Sequence, residues 1–165
     1  GFELEGVALL GEATRVSGQI GWMDADYKSF EDLRTTDPTN PAYDPTLHEH
    51  VPFSPDWTAR LALQHTFELG GNGAVTVGGD VAYRGDTWLS VDNRPGLMQR
   101  AYTLAGVFGV FDSSSGHWQL RAGVRNLTDR VYKTDGQEFS SVGNIQTAYY
   151  GWPRNYYVSA RYNFF

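Results

Sequence analysis

Seven segments of this chain alternate apolar and polar residues with a period of two, and the connections between them are alternately short and long. Trp57, Ala59, Leu61, Leu63, His65 and Phe67 alternate with Thr58, Arg60, Ala62, Gln64, Thr66 and Glu68. Val75, Val77, Gly79, Val81 and Tyr83 alternate with Thr76, Gly78, Asp80, Ala82 and Arg84, and Trp118, Leu120, Ala122 and Val124 stand opposite Gln119, Arg121, Gly123 and Arg125. Tyr102, Leu104, Gly106, Phe108 and Val110 continue the apolar set, while Phe2 to Leu10 and Val16 to Tyr27 follow it more loosely. Period two belongs to strands with one face turned away from water. The spacing therefore predicts an all-β antiparallel meander of about seven strands.

The last segment sets the phase at its end, with Tyr156, Val158, Ala160, Tyr162 and Phe164 on one face and Tyr157, Ser159, Arg161 and Asn163 on the other. Phe165 falls off the apolar face. A strand that runs this far toward a terminus and ends on aromatics suits a closed barrel, in which the edge must be paired. No run of eighteen apolar residues occurs, so a transmembrane helix is excluded, whereas barrel strands alternate and leave no such run.

Short connections at Gly11 to Arg15, Leu69 to Gly73 and Asp112 to Gly116 contrast with long ones at Ser29 to Ser54, Leu89 to Met98 and Thr134 to Asn155. Outer-membrane barrels have this asymmetry, with short periplasmic turns and long extracellular loops. A soluble sandwich would also alternate, turning its apolar face inward. Against it stand aromatics at strand ends (Trp57, Phe67, Tyr83, Trp88, Trp118, Tyr156 and Phe164) and a polar face carrying Arg60, Arg84, Arg121, Arg125 and Arg161. The first set matches interfacial girdles, the second a wet or plugged lumen.

A net charge of -6 leaves no basic stripe for nucleic acid, so none is expected as a partner. The absence of cysteine removes disulfides and thiolate chemistry. Gly1-Phe2-Glu3-Leu4-Glu5 has neither a charged nor an apolar leader region, so the expectation is a mature form or a fragment.

Asn126-Leu127-Thr128-Asp129 followed by Tyr132, then Gly151-Trp152-Pro153-Arg154, then the aromatic terminus, resemble in that order the C-terminal end of TonB-dependent receptors. Gly1 to Glu5, Asp24-Ala25-Asp26-Tyr27 and Pro52-Phe53-Ser54-Pro55 are similar to that family's strand opening, strand end and barrel re-entry, so the likeness spans residues 1 to 165. The resemblance implies a transmembrane barrel segment belonging to a larger barrel of about 22 strands. It places the Asn126 motif within the penultimate strand, where the break in alternation near Leu127 fits a bulge. Tyr156, Val158, Ala160, Tyr162, Phe164 and Phe165 would then form the membrane-assembly signal.

The implied function is import of a scarce nutrient across the bacterial outer membrane, most often a ferric siderophore, without catalysis or a resident cofactor. The implied partners are outer-membrane lipid, the remaining barrel and plug, the TonB energy-transducing complex reached through the N-terminal part, and a small-molecule chelate. A passive-diffusion or structural barrel and a rim-site outer-membrane enzyme are the competing readings. No nucleophile elbow, HExxH helix or phosphate loop supports the enzyme.

For ligand binding the candidates are Tyr43, His48 and His50 in the first long loop and Trp88, Arg94, Arg100, Tyr149, Tyr150, Trp152 and Arg154 near loop bases. His48-Glu49-His50 invites a metal reading, but adjacent side chains on extended backbone point to opposite sides, and no metal site is expected. The aromatic and cationic group suits an anionic or aromatic chelate through stacking and cation-π contact. Equally, the same Trp and Tyr residues suit a rim anchored at the headgroups. Asn126-Leu127-Thr128 also matches a glycosylation sequon, which in a bacterial strand is read as chance.

Overall fold

Val, Tyr, Phe, Trp and Thr at alternate positions pack well on a pleated surface, and here they build long strands. In the computed structural model, which describes every residue except Ala42, Ser140, Ser141, Val142, Asn144 and Phe165 and the side chains of Thr35 and Thr36, eleven strands follow one another. They are β1 (Phe2–Leu10), β2 (Thr14–Trp22), β3 (Trp57–Glu68), β4 (Gly73–Arg84), β5 (Thr87–Trp88), β6 (Met98–Gln99), β7 (Tyr102–Ser113), β8 (Trp118–Arg125), β9 (Lys133–Phe139), β10 (Ile145–Tyr150) and β11 (Asn155–Tyr162).

Seven of them form one sheet in the order β1-β2-β3-β4-β7-β8-β11, with antiparallel neighbours throughout. The other four make the hairpins β5–β6 and β9–β10, which interrupt the second and third long connections. The expected meander of seven strands is therefore the observed main sheet.

Register sorts the faces. Leu61 lies opposite Val81, Leu63 opposite Gly79, Ile20 opposite Ala59, and Val158 opposite Ala122. On the reverse face Gln19 is opposite Arg60, Ala62 opposite Asp80, and Ser159 opposite Arg121. Large side chains of the apolar face stay uncovered, including Leu4 at 67% and Val158 at 83% exposure. The buried apolar residues among those described, Leu47, Leu89 and Leu97, all lie in the long connections. A sandwich would bury that face against a second sheet; among the described residues no second layer covers it.

Aromatic clusters mark both ends of the apolar face. Phe2, Trp22 and Trp57 meet at the long-loop end, with centroid separations of 6.0 to 6.4 Å. At the short-turn end Tyr162 packs on Trp118 at 4.8 Å and on Phe164 at 4.9 Å. From Trp57 to Phe67 the strand covers ~33 Å, which at a barrel tilt of about 40° spans ~25 Å, the height of an outer-membrane apolar band. Trp88 is not part of either belt, because β5 carries it into the loops.

Three expectations need correction. β7 has the opposite phase: Tyr102, Leu104, Gly106, Phe108 and Val110 pair with Arg84, Ala82, Asp80, Gly78 and Thr76 on the polar face, while Val107 and Phe111 join the apolar one. Both faces of β7 are apolar, so its periodicity carries no phase and cross-strand pairing decides it. β2 ends at Trp22 rather than near Tyr27, with one further bond from Met23 N–H to the Asp56 carbonyl. Finally, the Asn126 motif lies beyond β8 rather than inside a strand. Asn126 takes φ +49°, where Asn is among the residues that tolerate a left-handed backbone, and there the strand ends.

The polar face has its own packing. The Phe108 ring covers Gly78 and the Tyr157 ring covers Gly123 so closely that a β-carbon at either glycine would collide with it. The Arg121 guanidinium lies 5.1 Å from the Phe108 centroid and 5.8 Å from that of Tyr157, with Arg125 5.1 Å from Tyr157, and Arg60 bonds Asp80 at 3.1 Å. Cations over aromatic faces suit a surface that is wet but not bulk water.

Candidate functional site

All three long connections leave the sheet at one end and fold on each other as a cap. Asp32 starts the short helix α1 (Leu33–Thr36) by accepting from the Arg34 backbone N–H at 2.8 Å. The Arg34 guanidinium then spans two connections, donating to Asp32 Oδ2 at 2.7 Å and to Asp92 Oδ1 at 3.1 Å. His48, with φ +64° and a side chain only 3% exposed, sets Nε2 2.8 Å from Asp32 Oδ2 and Nδ1 2.7 Å from the Val91 carbonyl, under the Phe30 ring at 4.0 Å. Hydrogen bonds from the Arg34 side chain, then its backbone N–H, then His48 hold the Asp32 carboxyl well below the usual carboxylate range. The same carboxylates push Arg34 further up.

Asp32, His48 and Asp92 place ligand atoms within 4.8 Å of one another, a metal-like spacing. Arg34 and the imidazole already occupy those oxygens, so the group works as a clasp between the loops. Next to it Asn93 Oδ1 accepts from the His50 N–H at 2.7 Å and its Nδ2 donates to the His50 carbonyl at 2.9 Å. The His50 ring stacks on Trp88 at 5.4 Å.

The third connection is tied at both ends. Lys133 Nζ donates to the carbonyls of Gly96 and Met98, and Lys133 N–H donates to Gln99 Oε1 at 2.7 Å. At its base Asn126 Nδ2 donates to the carbonyls of Arg130 and Trp152, its Oδ1 accepts from Arg130 N–H, and Arg154 N–H donates to Asp129 Oδ1 at 2.8 Å. Two motifs apart in sequence thus form one knot, which explains their joint appearance.

Between the connections lies a cavity of about 720 Å³, walled by Phe53, Leu89, Ser90, Asp92, Glu138 and Phe139 among others. Such a volume suits a small-molecule ligand. Phe53 holds φ +58°, an uncommon conformation for a bulky residue, through its N–H bond to the Trp88 carbonyl at 2.9 Å. The Glu138 side chain is 7% exposed and pairs with Arg94 at 3.6 Å, while Arg94 also lies 3.9 Å from Asp44.

Of the sequence candidates, His48, His50, Trp88 and Arg94 come together in this cap. Tyr43 is exposed in the first connection, and Arg100 is exposed at the β6 end. Tyr149, Tyr150 and Trp152 are 52%, 59% and 79% exposed, and Arg154 turns its Nη1 to the Leu127 carbonyl. In the terminal strand Tyr156, Val158, Ala160 and Tyr162 share the apolar face; Phe164 follows it, 78% exposed, and Phe165 lies outside the described residues. Sequence reasoning missed Asp32, Arg34, Asp92, Asn93, Ser90 and Glu138. No spacing signals them, because Arg34 meets Asp92, Asn93 meets His50 and Glu138 meets Arg94 only across connections.

The fold is that of solved receptors for ferric chelates. The chain superposes on the ferric yersiniabactin uptake receptor FyuA from Yersinia pestis with a TM-score of 0.79 at 20% identity, covering 99% of this chain and 23% of that one. BauA, the ferric preacinetobactin receptor of Acinetobacter baumannii, gives 0.69 at 20% identity, with 94% and 20% covered. The ferric-catecholate import receptor Fiu from E. coli K12 gives 0.67 at 18%, with 97% and 20% covered. This chain thus spans less than a quarter of the length of these receptors. No curated protein matches it in sequence. The TonB dependent receptor-like β-barrel family model matches residues 1–127, most of the chain, and the chain belongs to that family.

Proposed function

We propose that this chain is the C-terminal part of the barrel of a TonB-dependent active transporter in the bacterial outer membrane, importing a scarce nutrient as a ferric siderophore. The family match over residues 1–127 carries the reading. The sheet supports it, with an apolar face suited to lipid, an arginine-rich face suited to a plugged lumen, and a loop cap at one end. FyuA and Fiu are named for uptake or import of ferric chelates, and BauA as a receptor for one. β1 and β11 each have a free edge among the described residues, and in lipid each unpaired backbone group costs several kcal/mol. The rest of a barrel closes those edges, and a plug and the TonB complex drive release.

Iron uptake tests this directly. Cells carrying the intact receptor take up radiolabelled ferric chelate, and a protonophore or loss of TonB abolishes the uptake. Flux that persists without proton-motive force would instead make this a passive barrel.

A further inference from the structure

Charge is spread unevenly over the polar face of the sheet. On β1 to β4 that face carries Glu3, Glu5, Glu68 and Asp80 against Arg15, Arg60 and Arg84, whereas on β7, β8 and β11 it carries Arg121, Arg125 and Arg161 against Asp112 alone. Asp80 and Asp112 are already engaged, the first by Arg60 at 3.1 Å and the second by the Gln119 amide at 2.8 Å. Arg121 and Arg125 are exposed and have neither a hydrogen bond nor an ion pair among the described residues.

Aromatic rings hold both guanidiniums in place. The Tyr157 centroid lies 5.8 Å from Arg121 and 5.1 Å from Arg125, and that of Phe108 lies 5.1 Å from Arg121, so the two cations converge on one ring and each is shielded from water on one side. Beside them a cavity of about 480 Å³ crosses β7, with Arg60 and Asp80 on its far side and Gly106 between. Converging cations repel each other. A carboxylate set between them removes the repulsion and accepts charge-assisted N–H bonds from both.

That repulsion is present whether or not a transported ligand is bound, so a resident carboxylate answers it better than a passing anion. This chain covers 23% of FyuA, and most of a receptor of that length lies outside it. We propose, on the transport reading above, that Arg121 and Arg125 hold the plug against this part of the wall by binding an aspartate or glutamate side chain that the plug inserts into the cavity.

The test uses the full-length receptor with Arg121→Lys or Arg125→Lys, which keep the charge and introduce an amine, and a zero-length carbodiimide that joins an amine to a carboxylate in contact with it. Peptide mapping by mass spectrometry should find the introduced amine linked to an aspartate or glutamate of the plug. In the double variant Arg121→Gln, Arg125→Gln the plug amides should exchange hydrogen about tenfold faster, as expected for a lost charge-assisted hydrogen bond. High salt should speed that exchange in the wild type and change it little in the double variant. Linkage only to Asp80 or Asp112 of this chain overturns the proposal, as does a plug that is neither linked nor loosened. Weaker binding of a ferric tris-catecholate to the double variant, with plug exchange unchanged, overturns it as well and gives the two arginines to the ligand. A receptor that yields the plug linkage but passes solute without proton-motive force would overturn the transport reading and leave this contact standing.

Discussion

Asp32 concentrates the residue-scale chemistry of the cap. Its carboxylate caps a helix, receives Arg34 twice and meets His48, and these hydrogen bonds depress its pKa. A depressed carboxylate contributes stability that is complete above its unfolded value, about 3.9, and is lost as pH falls through the lower native value. Protection of the amides in residues 23–56 against hydrogen exchange should therefore hold from neutrality down to about pH 4 and fall in stronger acid. Asp32→Asn should weaken that protection already at neutral pH, by about 2 kcal/mol for a lost charge-assisted hydrogen bond. Opening centred near pH 6 would contradict the role given to Asp32. The clasp as a whole was invisible in sequence because Arg34 reaches Asp92 across 58 residues.

The informative element is β7, for which alternation predicted the wrong face. Val107, Gly109 and Phe111 on one side and Leu104, Phe108 and Val110 on the other make it apolar twice over. Pairing with β4 turns Phe108 to the polar face, where it lies on Gly78 beneath Arg121. A side chain at position 78 must displace that ring. Gly78→Val should lower the stability of the refolded full-length receptor by about 1–3 kcal/mol, read as a shift of the urea midpoint. Gly109→Ala, where a β-carbon meets nothing within 4 Å, is the matched control and should move it little. Equal effects of the two substitutions would show that Phe108 does not pack as described.

For the whole molecule, the decisive fact is where burial occurs. The sheet leaves large apolar side chains uncovered, and the described buried apolar residues belong to the cap. On the proposed transporter reading, lipid supplies the apolar environment of the strands. Deletion of Phe164 and Phe165 should impair insertion into the outer membrane several-fold while the assembled fraction keeps its ligand affinity, as heat-modifiability on gels and binding by that fraction will report. Phe164 packs on Tyr162 at the short-turn end, far from the cap, which is why affinity should be spared. Normal insertion of the truncated receptor would remove the assembly role from these residues.

Strand number, the alternation of short and long connections and the phase of β3, β4, β8 and β11 were legible in sequence, because each depends on residues within one strand or turn. The phase of β7, the end of β8 at Asn126 and the sites in the cap were decided by tertiary structure. A strand apolar on both sides takes its phase from its neighbours, and the Asp32–Arg34–His48–Asp92 clasp and the Arg94–Glu138 pair exist only once three distant connections meet. Local periodicity reports which way a residue points within its own element; the partner it finds depends on how the sheet brings the loops together.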